Sequence, residues 1–380
     1  MRFLRLISAP LFGIVFGLVV VELVLHYFPR SLLPSQFRLL DRVYSARSAW
    51  QEMMLGDSEL GYKLRPDLDI RFPSEGREVP IRTRSFGLGD IGFRDIGTEP
   101  PFSGVAVGDS FTLCDDVAAE NCWVKHLADA TGESLATLGV NGYSTLAAAR
   151  VLDRYGRQLA PKLVLVGVFP NDFKDNVHFD GWLASGTDNY WTWMGSRRGR
   201  TSFGNWLAEH SMVYRLLDGA RRSRSRDIYD YRGNGLDYVF RFDRWWTQVI
   251  DDLDGHRGLP LMHEGLLDMK RSAQEMGAQL VLLLFPTKEQ VHWEQVASFA
   301  PEGHAYDPDL PTNTVAAFAR ENSIAHCDLT PALRAESQRG RQLYLRVSGH
   351  WNEAGNAFGA AVIEECLREL RVIPLRSAAD

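Results

Sequence analysis

The stretch SGVAVGDSFTLCDDV, residues 103–117, decides the fold class. An apolar run ends in the turn Gly108-Asp109-Ser110, and a helical stretch follows. Strand, glycine turn and helix in that order open a strand–helix alternation. Ser110 carries two readings. Serine is a preferred N-cap, because its hydroxyl accepts a bond from a free N–H of the first helical turn. The same hydroxyl beside a base is a nucleophile. The two roles are compatible, and the rest of the chain weighs between them.

The alternation continues downstream. SLATLGVNG, KLVLVGVFPND and AQLVLLLFPT read as further buried strands, and SIAHCDLT as a weaker fifth. STLAAARVLDRYGRQLA and LMHEGLLDMKRSAQEMG are helical in pattern, and NEAGNAFGAAVIEECLREL is a closing helix. Continuous apolar strands between helices predict an α/β fold, a mostly parallel sheet of about five strands covered on both faces. The gap between the third and fourth strands, about residues 173–260, reads as an insertion over one end of the sheet. It holds Trp182, Trp191, Trp193, Trp206, Trp245 and Trp246, with basic clusters at Arg197, Arg198 and Arg200 and at Arg221, Arg222, Arg224 and Arg226. Such clusters are solvated loops or face anionic lipid or polymer. Upstream, GYKLRPDLDIRF and EVPIRTRSFG alternate as short strands, so residues 31–100 are expected to be a stalk and lead-in strands before the domain at 101–380.

With 380 residues, 45% of them apolar, the chain can bury a large core, and a net charge of −6 gives no reason to expect nucleic acid. The N-terminus, MRFLRLISAPLFGIVFGLVVVELVLHYFPR, sets Arg2 and Arg5 before a run of roughly 20 residues that is long enough for a ~30 Å hydrocarbon layer. Residues 1–30 are therefore expected to be a single-pass signal anchor, with the N-terminus cytoplasmic and the remainder outside. Glu22 would lie towards the outer end. Cys114 and Cys122 flank a polar loop that a bridge would close; Cys327 and Cys366 are either a second pair or small buried apolar residues. The histidines are scattered and the cysteines lack CxxC spacing, so neither metal nor cofactor is expected.

In a parallel α/β sheet, ligands bind beyond the carboxyl ends of the strands. Gly108-Asp109-Ser110, Gly139-Val140-Asn141-Gly142 and Pro170-Asn171-Asp172 fall at such ends, and Gly349-His350-Trp351-Asn352 precedes the last helix. Cap, turn, turn-plus-cap and surface histidine account for each alone, but not for their gathering at one rim. In this order the blocks resemble the SGNH (GDSL-type) hydrolase superfamily, the matching residues being Ser110, Gly142, Asn171 and His350. FPTKEQVHW and SGHWNEAGN are also similar to membrane-anchored bacterial members and to the alginate O-acetyltransferase-like branch. The resemblance implies a three-layer flavodoxin-like sheet. It also implies Ser110 as nucleophile, His350 as base, and an oxyanion hole from the N–H groups of Ser110 and Gly142 with the Asn171 amide.

One departure stands out. The family places an Asp two or three residues before the His, where this chain has Ser348 and Val347. Ser348, a backbone carbonyl or a carboxylate from elsewhere is left to orient His350; failing these, the site is a Ser–His dyad. The expected function is an exported, membrane-anchored serine esterase or O-acyltransferase. Its expected substrate is O-acetyl groups on an envelope or secreted polysaccharide, with partner membrane proteins a further possibility. The competing readings are an SGNH-fold binding or assembly subunit that has lost turnover, which the absent Asp favours, and a lipid esterase.

Overall fold

The computed structural model describes residues 2–27, 49–197, 202–222 and 228–373. The alternating lead-in segments form two small antiparallel units. β1 (Met54–Asp57) pairs with β2 (Gly61–Leu64), while β3 (Asp69–Ser74), β4 (Arg77–Arg84) and β5 (Phe93–Arg94) make a three-stranded sheet. Their inward side chains, among them Leu64, Phe72, Ile81 and Phe93, belong to the same core cluster as the main sheet. Residues 49–100 are thus built into the domain rather than forming a stalk beneath it.

The five strands expected from residue 103 onward are all present: β6 (Gly104–Gly108), β7 (Leu135–Gly139), β8 (Leu163–Val168) and, after the hairpin β9 (Ile228–Gly233) and β10 (Leu236–Arg241), β11 (Gln279–Leu284) and β12 (Ala325–Asp328). Every neighbouring pair is parallel, in the order β12-β11-β8-β6-β7. In order along the chain this is 2-1-3-4-5, the flavodoxin-like arrangement, whose order reverses between β6 and β8. β6 and β7 are buried at every position because helices cover both faces. Helices Thr145–Arg154 and Gly258–Met276 pack together on one side, and Trp123–Thr131 and Glu353–Glu369 on the other.

Glycine at the strand ends lets the first turn after β6 fold back over the sheet. A Cβ on Gly108, whose φ is +152°, would lie 2.5 Å from Thr112 Oγ1, and one on Gly139 would lie 2.4 Å from the Leu113 amide nitrogen. The short helix Ser110–Leu113 therefore sits directly across the carboxyl ends of β6 and β7.

Among its described residues, the regular structure of the insertion is helical apart from the β9–β10 hairpin. Asn234 and Gly235, both at positive φ, form its two-residue turn. The arginines of both basic clusters have side chains outside the described residues. The N-terminal helix runs Arg2–Tyr27. Among the described residues, no helix is long and apolar enough to cross a membrane; the side chains of this one are described only from Gly13 onward. Its Glu22 accepts hydrogen bonds from Ser211 Oγ at 2.8 Å and from the amides of Met212 and Val213, so a carboxylate in an apolar helix caps the helix Met212–Arg222. Both cysteine pairs are bridged, Cys114 to Cys122 and Cys327 to Cys366.

Candidate active site

The cap of the helix after β6 is Asp109, not Ser110. Asp109 accepts from the Phe111 amide at 2.9 Å through its side chain. Ser110 is instead the first helical residue, so its N–H has no partner within the helix and its hydroxyl is left for other work. That hydroxyl lies 2.7 Å from His350 Nε2.

His350 is presented by a folded loop. Tyr344 bridges to Trp351, the Leu345 amide donates to the His350 carbonyl at 2.9 Å, and Asn352 caps the following helix by accepting from the Gly355 amide. The buried Lys288, from FPTKEQVHW, reaches into this loop and donates to the carbonyls of Leu345, Arg346 and Ser348 at 3.1–3.3 Å. Its ammonium also lies over the rings of Tyr238 and Phe240. The same charge, added to burial, holds His292 down to about 4, so that neighbour stays neutral.

The acid missing before His350 is supplied from the other side of the site. Asp116, six residues beyond the serine in the opening stretch, sets Oδ2 2.5 Å from His350 Nδ1. Ser348 Oγ donates to the same oxygen at 3.1 Å and lies 3.1 Å from Nδ1. Ser348 therefore assists the orientation of His350, whereas the charged contact is with Asp116. An ionised carboxylate only accepts, so Nδ1 carries the proton and Nε2 is left to accept from Ser110.

The lead-in strands fix this arrangement. Ser74, at the end of β3, donates to Asp116 Oδ1. The next residue, Glu75, accepts the amides of Val347 and Ser348 with one oxygen. Arg94, from β5, is fully buried and donates to the carbonyls of Leu113, Cys114 and Val117 at 2.8–3.2 Å, fastening the loop that carries Asp116; burial lowers it to about 10. Ser74, Glu75, Arg94, Asp116 and Lys288 thus all serve the site, and none was singled out in the sequence. CDDV lay in the opening quotation and KEQV in a quoted block, but nothing in their spacing foretells contact with the histidine loop.

The expected oxyanion residues border the same rim. Gly142 has φ +75°, and a Cβ there would sit 3.0 Å from Tyr62 Oη. Its loop is held by Tyr62, which donates to the Asn141 carbonyl at 2.9 Å, and by Asn141 Nδ2, which donates to Asp115 Oδ2 at 2.8 Å. Asn171 precedes the helix Asp172–Ser185, and its buried Oδ1 has no partner. Its amide carries two N–H donors. Behind it, burial raises Asp109 to about 6, and burial with the nearby Asp109 pushes Asp172 well above the ordinary carboxylate range. Asp115, Asp116 and His350 bring potential ligand atoms within 4.8 Å of one another. Asn141 and the Ser–His–Asp contacts already engage those atoms, so the grouping reads as hydrogen-bonding machinery rather than a metal centre.

A hydrogen-bonded serine, histidine and aspartate at the order reversal of a flavodoxin-like sheet, with glycine and asparagine on the same rim, agree with an SGNH-type enzyme acting on esters, a hydrolase or acetyltransferase. Residues 246–379 match the family described as the SGNH hydrolase-like domain of the acetyltransferase AlgX. The matched part contains Lys288 and His350; Ser110, Gly142 and Asn171 lie ahead of it. No curated protein sequence matches the chain. Among solved structures it is similar to a G-D-S-L-family lipolytic protein from Desulfitobacterium hafniense DCB-2, at 12% identity over 70% of this chain and 98% of the other, with a TM-score of 0.38. A catalytic mutant of an acetylxylan esterase from Geobacillus stearothermophilus gives 10%, 73%, 97% and 0.39 for the same quantities. The psychrotrophic esterase EstA from Pseudoalteromonas sp. gives 13%, 71%, 99% and 0.38.

Proposed function

We propose that this protein transfers short acyl groups, acetyl foremost, from or to carbohydrate hydroxyls through an acyl-enzyme on Ser110. The observation that carries this reading is the chain of contacts from Ser110 Oγ through His350 to Asp116, at 2.7 and 2.5 Å. Ser110 Oγ attacks the acyl carbonyl carbon while His350 Nε2 takes its proton. The tetrahedral oxyanion is met by the N–H groups of Ser110 and Gly142 and by the Asn171 amide. On collapse the carbon–oxygen bond to the leaving alcohol breaks, and His350 returns the proton to that oxygen. Water or a sugar hydroxyl then attacks the acyl-serine, giving its proton to His350 and releasing Ser110.

Ser110, His350 and Trp351 line a small pocket at the rim, and Phe169, Phe173, Phe285 and Val315 line a second. The non-catalytic reading drew on the missing acid, and Asp116 removes that ground.

We further propose that the domain works outside the cytoplasm, tethered to the membrane by its N-terminal helix. Two disulfides suit an oxidising compartment, and Arg2 and Arg5 ahead of the apolar run give the orientation. Carbonate extraction and protease accessibility in intact cells test this part.

The chemistry is tested with the purified full chain and p-nitrophenyl acetate, alongside Ser110→Ala and His350→Ala. A burst of nitrophenol abolished by both substitutions is expected, and adding oligosaccharide acceptors separates transfer from hydrolysis. Turnover that survives Ser110→Ala would defeat the acyl-enzyme.

A further inference from the structure

The insertion is rich in tryptophan, and these residues differ in exposure, Trp245 being partly buried. Trp182, Trp193 and Trp246 are buried and serve as core. Trp191 is 41% exposed. It stands on a rigid support. Asn189 starts the helix Tyr190–Arg197 by accepting from the Thr192 amide at 2.9 Å. Tyr190 is wedged among Tyr62, Trp182 and Trp193, with ring centroids 5.2–5.9 Å apart. Gly61 admits it, because a Cβ there would come within 3.2 Å of the Tyr190 side chain.

With Tyr190 fixed inward, the next residue places its indole on Tyr62, at 4.8 Å and 33° between ring planes. Tyr62 is the residue whose hydroxyl holds the Asn141 carbonyl and borders Gly142. One side chain therefore separates the exposed indole from the expected oxyanion donor. On the helix Asp172–Ser185, Asp175 lies 3.6 Å from His178 and 3.1 Å from Lys174.

We propose that Trp191 is the platform of a carbohydrate subsite beside Ser110, receiving the C–H face of a pyranose. A flat, pre-positioned aromatic face next to a few polar groups is the composition of a small-molecule site, and its rigidity lowers the entropy lost on binding. Trp206 makes the contrast: it is also exposed, but its ring neighbours are Phe203 and His210, and among the described residues no contact links it to the site. The proposal rests on the ester-transfer reading and names the residue that holds the carbohydrate at that site.

The test compares full-length wild type, Trp191→Ala, Trp191→Phe and Trp206→Ala on p-nitrophenyl acetate and on a panel of O-acetylated cello-, xylo- and mannuronate hexaoses. Binding of the deacetylated hexaoses to Ser110→Ala and to Ser110→Ala/Trp191→Ala is measured by calorimetry. For Trp191→Ala, the loss in kcat/KM on at least one hexaose is expected to exceed the loss on p-nitrophenyl acetate tenfold or more, through KM. Trp191→Phe should recover part of it, and Trp206→Ala should match wild type. Equal behaviour of Trp191→Ala and Trp206→Ala on every substrate overturns the platform and leaves the ester chemistry standing. If wild type cleaves no ester, yet Ser110→Ala binds a hexaose that the double variant does not, the platform stands and the ester reading falls. Neither turnover nor binding overturns both.

Discussion

Replacing Asp116 by Asn separates two accounts of how His350 is held. Asp116 is 1% exposed, and its oxygens are shared among Ser74, Ser348 and His350. When Ser110 gives up its proton, the imidazole becomes a cation with a carboxylate oxygen 2.5 Å away. At an effective dielectric of about 20, that attraction is worth roughly 5–7 kcal/mol. An asparagine of the same shape removes the charge and can turn its NH₂ towards Nδ1, which selects the wrong tautomer. The expected loss in kcat is about 10³–10⁴, in line with neutralising the acid of other serine triads. Ser348 makes only neutral contacts, and a neutral hydrogen bond contributes about 1 kcal/mol, so Ser348→Ala should lose less than about tenfold. The assay is pre-steady-state and steady-state release from p-nitrophenyl acetate, with circular dichroism to verify folding. If Asp116→Asn stays within tenfold of wild type while Ser348→Ala loses more, the acid is not Asp116 and the charge argument is wrong.

Other substitutions probe the supports. Glu75→Ala removes the acceptor of two amides in the histidine loop and should lower kcat by roughly 10–100-fold with KM little changed, whereas Glu75→Gln, which keeps a carbonyl oxygen, should lose far less; kinetics on p-nitrophenyl acetate decide. Asn171→Ala should cost about 10²–10³ in kcat if its amide faces the oxyanion. Asp109 sits at about 6 in the folded chain against an ordinary 3.8, so its contribution favours the folded state below 3.8 and is lost as pH rises through 6, a penalty of about 3 kcal/mol above that. Asp109→Asn keeps the helix cap, so its stability relative to wild type should rise between pH 4.5 and 7.5, read from denaturant midpoints. Removing Cys327–Cys366, which closes 39 residues, should cost about 4 kcal/mol, against about 2.5 for Cys114–Cys122, which closes 8; urea titrations of the two double-serine variants give the order.

The central sheet was legible because both-face burial writes itself as unbroken apolar runs: VAVG, LATLG and LVLVGV are read the same way in sequence and structure. Ser110 and His350 were legible as a pair because a strand end and a late helix start return to one rim. The hairpin β9–β10 left a usable signal, Asn234-Gly235 between alternating apolar residues, that a search for buried parallel strands passes over. Asp116 was not legible as the partner of His350. A carboxylate after a short helix reads as a solvated loop residue unless the path of the chain is known, and here Cys114 at φ +56° turns that chain inward. Ser74 and Glu75 were hidden for a related reason: they sit at a hairpin tip, where polar residues are expected to face water.

Carrying Asp116 on the loop that follows Ser110 changes what the proposed site depends on. An acid two or three residues before the histidine travels with it, so one loop would fix their geometry. Here Asp116 and His350 come from separate segments, and their alignment needs each loop to be held by something outside it. The lead-in strands supply both holds: Arg94 gathers the carbonyls of the Asp116 loop, while Ser74 and Glu75, adjacent in sequence, grip Asp116 and the histidine loop together. Lys288 secures the histidine loop from the opposite side. Activity should therefore be more sensitive than the fold to changes at the β3–β4 tip, since the parallel sheet's core does not pass through it. The same dependence explains why residues 49–100 share one core with the sheet: a stalk free to swing would leave the triad without its brace.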